Sequence, residues 1–173
     1  MSLETLRTAI RDIPDFPKPG IVFKDVTPIL AKAAFFREAV DLFAERHRAS
    51  RLDSIAAVEA RGFLFGAALA DRLGVGLIPV RKKGKLPYRT RSASYDLEYG
   101  SATLEIHEDA FSPGARVLLI DDLLATGGTL AAAVGLIEQL GATLVEIDVL
   151  VELAFLNGRA RLAGRTVFAP IVF

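Results

Sequence analysis

The sequence predicts an α/β protein, a single domain built on a mostly parallel central sheet flanked by helices. Three observations predict it. Short continuous apolar runs recur along the chain, the pattern of strands buried on both faces of a sheet. Helix-period segments alternate with those runs, and such alternation gives parallel strands joined by crossover helices. The length, 173 residues, suits one domain with a sizeable core.

The elements follow in order. Leu3, Leu6 and Ile10 share one face of a short amphipathic helix. Pro14, Pro17, Pro19 and Gly20 break it and predict an extended loop. Phe35 to His47 reads as a second helix, with Phe36, Val40 and Phe43 on its buried stripe. Ser54 to Val58 is a strand, Gly62 opens a helix that runs to Leu73, and Gly76 to Val80 is the next strand. Arg116 to Ile120 is a third strand, followed by glycines and a helix from about Thr129 to Leu140. Thr143 to Val151 and Thr166 to Val172 supply two more strands. The polar, basic stretch 82–100 has no clear period, and a connection that long is expected to be a functional lid.

Composition narrows the function. Lys plus Arg and Asp plus Glu are both 21, which argues against a general nucleic-acid binder. The chain has no cysteine, so disulfides, thiol nucleophiles and cysteine metal sites are excluded, and a reducing cytoplasm suits it. Charges at Glu4 and Arg7 stand where a signal peptide needs an apolar core, and no apolar run nears the ~18 residues of a membrane span. A soluble cytoplasmic protein with no membrane partner is expected.

The most informative stretch runs from Val117 to Thr129. An apolar strand delivers Asp121 and Asp122 to its carboxyl end, a small-residue turn follows (Ala125, Thr126, Gly127), and a helix opens at Gly128 and Thr129. Free N–H groups at a helix start, with the helix dipole behind them, attract an anion. Gly127 and Gly128 let the backbone approach a phosphate, and Thr126 and Thr129 can add hydroxyl donors. Carboxylates accept hydrogen bonds, so the acid pair suits the vicinal hydroxyls of a ribose. Phosphate on amides and diol on aspartates describes a ribose 5-phosphate. The P-loop, which ends in Gly-Lys-Ser/Thr, and the dinucleotide fingerprint, with three spaced glycines, do not fit.

Two further features share this chemistry. Glu59-Ala60-Arg61-Gly62-Phe63 also joins a strand to a helix, with Arg61 a forked cation suited to phosphate oxygens; an ordinary helix start fits it as well. Arg81, Lys82, Lys83, Lys85, Arg89 and Arg91 place six cations in eleven residues. Alone, such a run suits a solvated face; leaving a strand's carboxyl end, it suits a lid over a pyrophosphate. Phe23, within Gly20 to Pro28, offers a face for a flat heteroaromatic base or a side chain for the core.

Asp121-Asp122-Leu123-Leu124-Ala125-Thr126-Gly127-Gly128-Thr129 resembles the phosphoribosyl pyrophosphate (PRPP) motif of the type I phosphoribosyltransferases, and its Leu-Leu-Ala filling is similar to their adenine-specific branch. Glu59 to Phe63 is similar to that branch's pyrophosphate loop, Gly20 to Pro28 to its base-recognition hood, and residues 81–87 with 94–100 to the two ends of its flexible loop. The resemblance spans roughly residues 14 to 155.

The resemblance implies one phosphoribosyltransferase domain over residues 1–173, with a hood at about 1–32 and a flexible loop at about 82–100. It implies transfer of the phosphoribosyl group from PRPP to adenine, giving AMP and pyrophosphate in purine salvage, by a homodimer using Mg²⁺. PRPP and AMP would meet Asp121, Asp122, Ala125, Thr126, Gly127, Gly128 and Thr129, with Glu59, Ala60, Gly62, Arg81, Lys82 and Lys85 on the pyrophosphate side. Adenine would meet Val22, Phe23, Lys24 and Leu153. Glycosidic cleavage passes through an oxocarbenium-like state, so positioning and electrostatics dominate. Arg61 would steady the leaving pyrophosphate and Glu98 would take the N9 proton of the base, an exposed charge beside a strand being the other reading of Glu98. No direct protein ligand to the metal is expected: Mg²⁺ would be held mainly through PRPP, with Asp121 or Asp122 reaching it through water. Neither His47, ending a polar helix, nor His107, following a strand among acids, reads as catalytic.

Two rivals stay open at this stage. One is a sister enzyme using xanthine, hypoxanthine or another base. The other is a non-catalytic PRPP sensor, which needs an appended DNA-binding segment; only one short helix precedes Ile21.

Overall fold

The structure, a computed structural model, describes residues 2–96 and 101–173. Helix α1 (Leu3–Ala9) begins on a Ser2 cap whose hydroxyl accepts from the Thr5 N–H. Strands β1 (Arg11–Pro14) and β2 (Val22–Asp25) then form an antiparallel hairpin, where the prolines predicted only a loop. Pro14 escapes the usual bar on strand prolines because it ends an edge strand. Helix α2 (Thr27–Ala31), short and unforeseen, starts on Pro28 in its first turn and leads to α3 (Ala33–His47).

The main sheet comprises β3 (Ser54–Val58), β4 (Gly76–Lys82), β5 (Thr90–Asp96), β6 (Ser101–His107), β7 (Arg116–Leu124), β8 (Thr143–Glu152), β9 (Val167–Phe168) and β10 (Ile171–Val172). Its order is β10-β8-β7-β3-β4-β6-β5, with β9 also on β8. All pairings from β10 to β4 are parallel, and β4-β6 and β6-β5 are antiparallel. The strand predicted over Thr166 to Val172 is two short pieces flanking Pro170, which cannot donate to a ladder.

Part of the predicted loop 82–100 is also corrected. Thr90 to Asp96 is a strand, register-paired from Thr90↔His107 to Asp96↔Ser101. Its polar outer positions conceal a period of two: Ala93 and Tyr95 pack inward while Ser92 and Ser94 stay exposed.

Helices cover both faces. Helix α4 (Arg61–Leu73), with α1 to α3, packs one core around Phe43, Phe65, Leu118 and Ile120. Helix α5 (Gly128–Gln139), with the β5-β6 hairpin, packs the other around Leu104, Leu119, Leu136 and Val149. No helix among the described residues is long and apolar enough to cross a membrane.

Strands β3 and β7 are neighbours, but the crossover from β3 runs to β4 on one side and that from β7 to β8 on the other. Crossovers leaving in opposite directions open a crevice at the carboxyl ends of the two strands, where open α/β sheets bind ligands.

Candidate active site

The crevice gathers most of the predicted residues. A cavity of about 440 Å³ is lined by Glu59, Ala60, Arg61, Lys82, Asp121, Asp122, Ala125 and Thr129, together with Tyr95. A smaller hollow of about 70 Å³ lies against the turn Ala125-Thr126-Gly127 and Thr129. Strand β7 runs through the acid pair to Leu124, further than its apolar run predicted, so Asp121 and Asp122 project from regular strand to opposite faces.

The acid pair is not free. Arg61 Nε donates to Asp122 Oδ2 at 2.5 Å, and its guanidinium lies 5.5 Å from the Phe23 ring centroid. Burial works against the Arg61 charge, and Asp122 more than offsets it, holding the guanidinium above its ordinary range. Asp121 keeps some exposed surface, yet desolvation and then the adjacent Asp122 charge push its carboxyl well above the usual range.

Three close backbone approaches explain the glycines. A Cβ at Gly62 would lie 2.9 Å from Asp121 Oδ1 and 3.0 Å from the Ile120 carbonyl, so Gly62 lets the start of α4 pack on the end of β7. Gly127 caps α5 with φ +82°, and a Cβ there would meet the Gly158 carbonyl at 2.4 Å. A Cβ at Gly158 would meet the Ala125 carbonyl at 2.2 Å. The turn that suits a phosphate therefore rests on the backbone of a later segment, the 3-10 helix Gly158–Leu162. Arg159 locks that segment down, its Nε and Nη2 donating to the buried Glu152 carboxylate at 2.7 to 2.9 Å.

The basic stretch divides. Arg81 Nε donates to Glu59 at 3.0 Å, and its Nη1 to the Lys85 carbonyl at 2.9 Å. The Lys82 N–H also reaches Glu59, and the Gly84 N–H donates to Glu105 at 2.9 Å. Glu59 and Arg81 thus fix the turn after β4, while the Lys82 and Lys85 side chains are exposed. Arg91 pairs with Glu108 at 3.4 Å. Glu98 lies outside the described residues.

The hood contributes a second cavity of about 550 Å³, lined by Val22, Lys24 and Leu153 with Phe155, Leu156 and Phe173. Phe23 is not among its walls. Successive strand residues face opposite ways, and Phe23 turns instead to Phe16, at 5.2 Å between ring centroids, and to Arg61. Pro14 pairs with Val22 in register and cannot donate, so Ile13-Phe23 and Arg11-Asp25 are the pairs that exchange two backbone bonds. The Ile21 carbonyl, accepting from Phe16 N–H at 3.3 Å, fits the same alternation. The N–H and C=O groups of Val22 and Lys24 therefore face away from β1, along an open edge.

Sequence reasoning missed Tyr95, Gly158 and Phe173. Phe173 N–H donates to the Glu152 carbonyl and its carbonyl accepts from Ala154, both at 2.9 Å, bracketing Leu153; its ring lies 4.1 Å beneath the Lys24 ammonium. Gly158 and Phe173 sit in no motif, and Tyr95, though within the stretch 94–100 that resembles the flexible loop, carries no role of its own there; topology brings all three to the rim. Neither histidine lines these cavities. His47 does end its helix, but it is buried, not on a polar face. Its Nε2 lies 2.8 Å from Asp148 Oδ2 and 3.7 Å from Glu146, which Arg46 holds with two bonds at 2.8 and 2.6 Å.

Known proteins resemble this chain over nearly its whole length. The phosphoribosyl transferase domain family matches residues 25–164. The adenine phosphoribosyltransferase of Syntrophotalea carbinolica is 57% identical over 171 residues, 99% of this chain and 100% of that protein. That of Chloroflexus aurantiacus is 54% identical over 100% of both chains. The crystal structure of the Thermoanaerobacter pseudethanolicus adenine phosphoribosyltransferase matches with a TM-score of 0.96 at 53% identity, over 99% of this chain and 100% of that one. The Saccharomyces cerevisiae enzyme, solved with adenine and an imino-altritol bisphosphate, gives 0.93 at 42% identity over 98% of each chain. This chain belongs to the phosphoribosyltransferase family, in its adenine phosphoribosyltransferase branch.

Proposed function

We propose that this chain transfers the 5-phosphoribosyl group of PRPP to adenine, releasing pyrophosphate and giving AMP, with Mg²⁺. The observation that carries the reading is the juxtaposition at the end of β7: an acid pair, a helix-start turn for a phosphate, and Arg61 between that pair and Phe23. The 5-phosphate takes the amides of Thr126 to Thr129, the ribose diol takes Asp121 and Asp122, and the pyrophosphate lies toward Ala60, Arg61, Lys82 and Lys85. Arg61 exchanges Asp122 for pyrophosphate oxygens as PRPP enters. The base stacks on Phe23 beside Arg61, its edge against the open backbone of Val22 and Lys24, and Leu153 lines the adjoining hood cavity. Glu98 receives the N9 proton.

The residues present fit Mg²⁺. Two adjacent carboxylates, one held well above its usual range by burial and its neighbour, form an oxygen-donor pair that Arg61 would leave for the pyrophosphate. Asp121 or Asp122, reaching through water, and PRPP itself would hold the ion, which supplies charge neutralisation at the pyrophosphate. We place the enzyme in the cytoplasm, consistent with a chain that has no cysteine. We further read it as a homodimer, with exposed Leu64 and Leu77 among the apolar surface a partner copy would cover; sedimentation at micromolar concentration checks this.

The deciding experiment offers adenine, hypoxanthine, guanine and xanthine with PRPP, with and without Mg²⁺. Pyrophosphate release with adenine and Mg²⁺, lost on chelation, is expected. Turnover of xanthine without adenine would overturn the base assignment, and PRPP binding with no turnover of any base would favour a sensor.

A further inference from the structure

Thr129 is the second residue of α5 and borders both the phosphate turn's hollow and the cavity beside the acid pair. Its hydroxyl does not point into empty space. Thr129 Oγ1 donates to Tyr95 Oη at 3.2 Å. Tyr95 comes from β5, where its ring packs partly buried against the core under α5 and its hydroxyl stands at the rim. On the outer face of the same strand Ser94 Oγ pairs with Thr103 Oγ1 at 2.9 Å, so β5 reaches α5 through its inward tyrosine.

A threonine hydroxyl has one proton, whereas a phosphate ester at neutral pH offers mainly acceptor oxygens. A phosphate in the turn therefore competes with Tyr95 for the Thr129 proton. A phenol both donates and accepts, so Tyr95 can reverse its role without moving: it accepts from Thr129 in the free site and donates to Thr129 Oγ1 when that proton turns to phosphate. Each bond in such a chain polarises the next.

We propose that Tyr95 is a positioning residue for the sugar 5-phosphate, acting through Thr129. Tyr95 holds the Thr129 hydroxyl in place before binding, and becomes its donor once the phosphate is seated. This rests on the proposed reading of the turn after Leu124 as the 5-phosphate site.

The test measures ribose 5-phosphate affinity by calorimetry, with no base or metal present, for the wild type, Tyr95→Phe, Thr129→Ala and the double variant. Tyr95→Phe removes one hydroxyl and keeps the packed ring. Its affinity should fall about 3- to 10-fold, the range of one hydrogen bond, while its melting temperature without ligand drops by no more than the loss of that one bond and its KM for adenine stays at the wild-type value. The double variant should bind no more weakly than Thr129→Ala alone, because the tyrosine acts through the threonine. Equal affinity of Tyr95→Phe and wild type, or losses that multiply in the double variant, would overturn the assignment to Tyr95 while leaving the turn as the phosphate site. Absence of ribose 5-phosphate binding by the wild type would overturn both.

Discussion

Replacing Asp148 by Asn should make the protein's stability less sensitive to pH. Asp148 lies on β8 with no exposed surface, its Oδ2 against His47 and its Oδ1 without a hydrogen-bond partner among the described residues. Burial, only partly countered by the His47 hydrogen bond and charge, pushes its carboxyl from 3.8 up to about 6. The folded state therefore binds this proton more tightly than the unfolded chain does. That stabilisation is complete below pH 3.8 and is lost as pH rises through about 6. At 1.36 kcal/mol for each pH unit, the interval amounts to about 3 kcal/mol. For a domain of this length each kcal/mol moves the melting temperature by roughly 2 to 4 °C. Asn has nearly the shape of a protonated Asp and does not ionise. The melting temperature of Asp148→Asn minus that of the wild type should thus rise by roughly 6 to 12 °C between pH 4 and pH 7.5. The assay is thermal unfolding across that range, followed by circular dichroism. A difference that stays flat, or falls with pH, would refute the reasoning.

Three other outcomes are expected. Gly158→Ala should weaken PRPP binding at least tenfold, and lower the melting temperature, because its Cβ meets the Ala125 carbonyl at 2.2 Å and must displace the phosphate turn; an unchanged PRPP KM would show that the turn does not depend on this support. Phe23→Ala should raise the KM for adenine roughly 5- to 150-fold, the range of one base-aromatic stack, and leave PRPP affinity alone; initial-rate kinetics in both substrates check this. Glu98→Ala should lower turnover with PRPP binding retained, and unchanged turnover would remove Glu98 from the mechanism.

Strands buried on both faces were the most legible part of the sequence. Ser54 to Val58 is apolar and enclosed at every position after Ser54, so its bounds could be read directly. Asp121 to Thr129 was legible because three kinds of phosphate and sugar partner coincide in nine residues. The β1-β2 hairpin was hidden by its prolines, and β5 by Ser92 and Ser94 on its solvent side, which alternate with an inward Ala93 and Tyr95. His47 was illegible for another reason. Its partner Asp148 is 101 residues away in sequence, and no local pattern announces a pair made by packing a helix end against a strand. The same holds for Gly158 beneath the phosphate turn and for Phe173 beside Leu153: each acts on a neighbour that only the sheet order supplies.

The unpaired margin of β2 has a consequence for how substrate choice can drift. On the proposed reading, a flat heterocycle docked there takes the place of a third strand, and its donors and acceptors are matched by main chain, which every residue type carries. Val22 and Lys24 can then change side chains without changing the nucleobase that is accepted. Pro14 is less replaceable, since a donor at that position would allow the ribbon to pair in the alternate phase and turn the recognition groups inward. On that reading, selectivity is guarded by a residue that never touches the base.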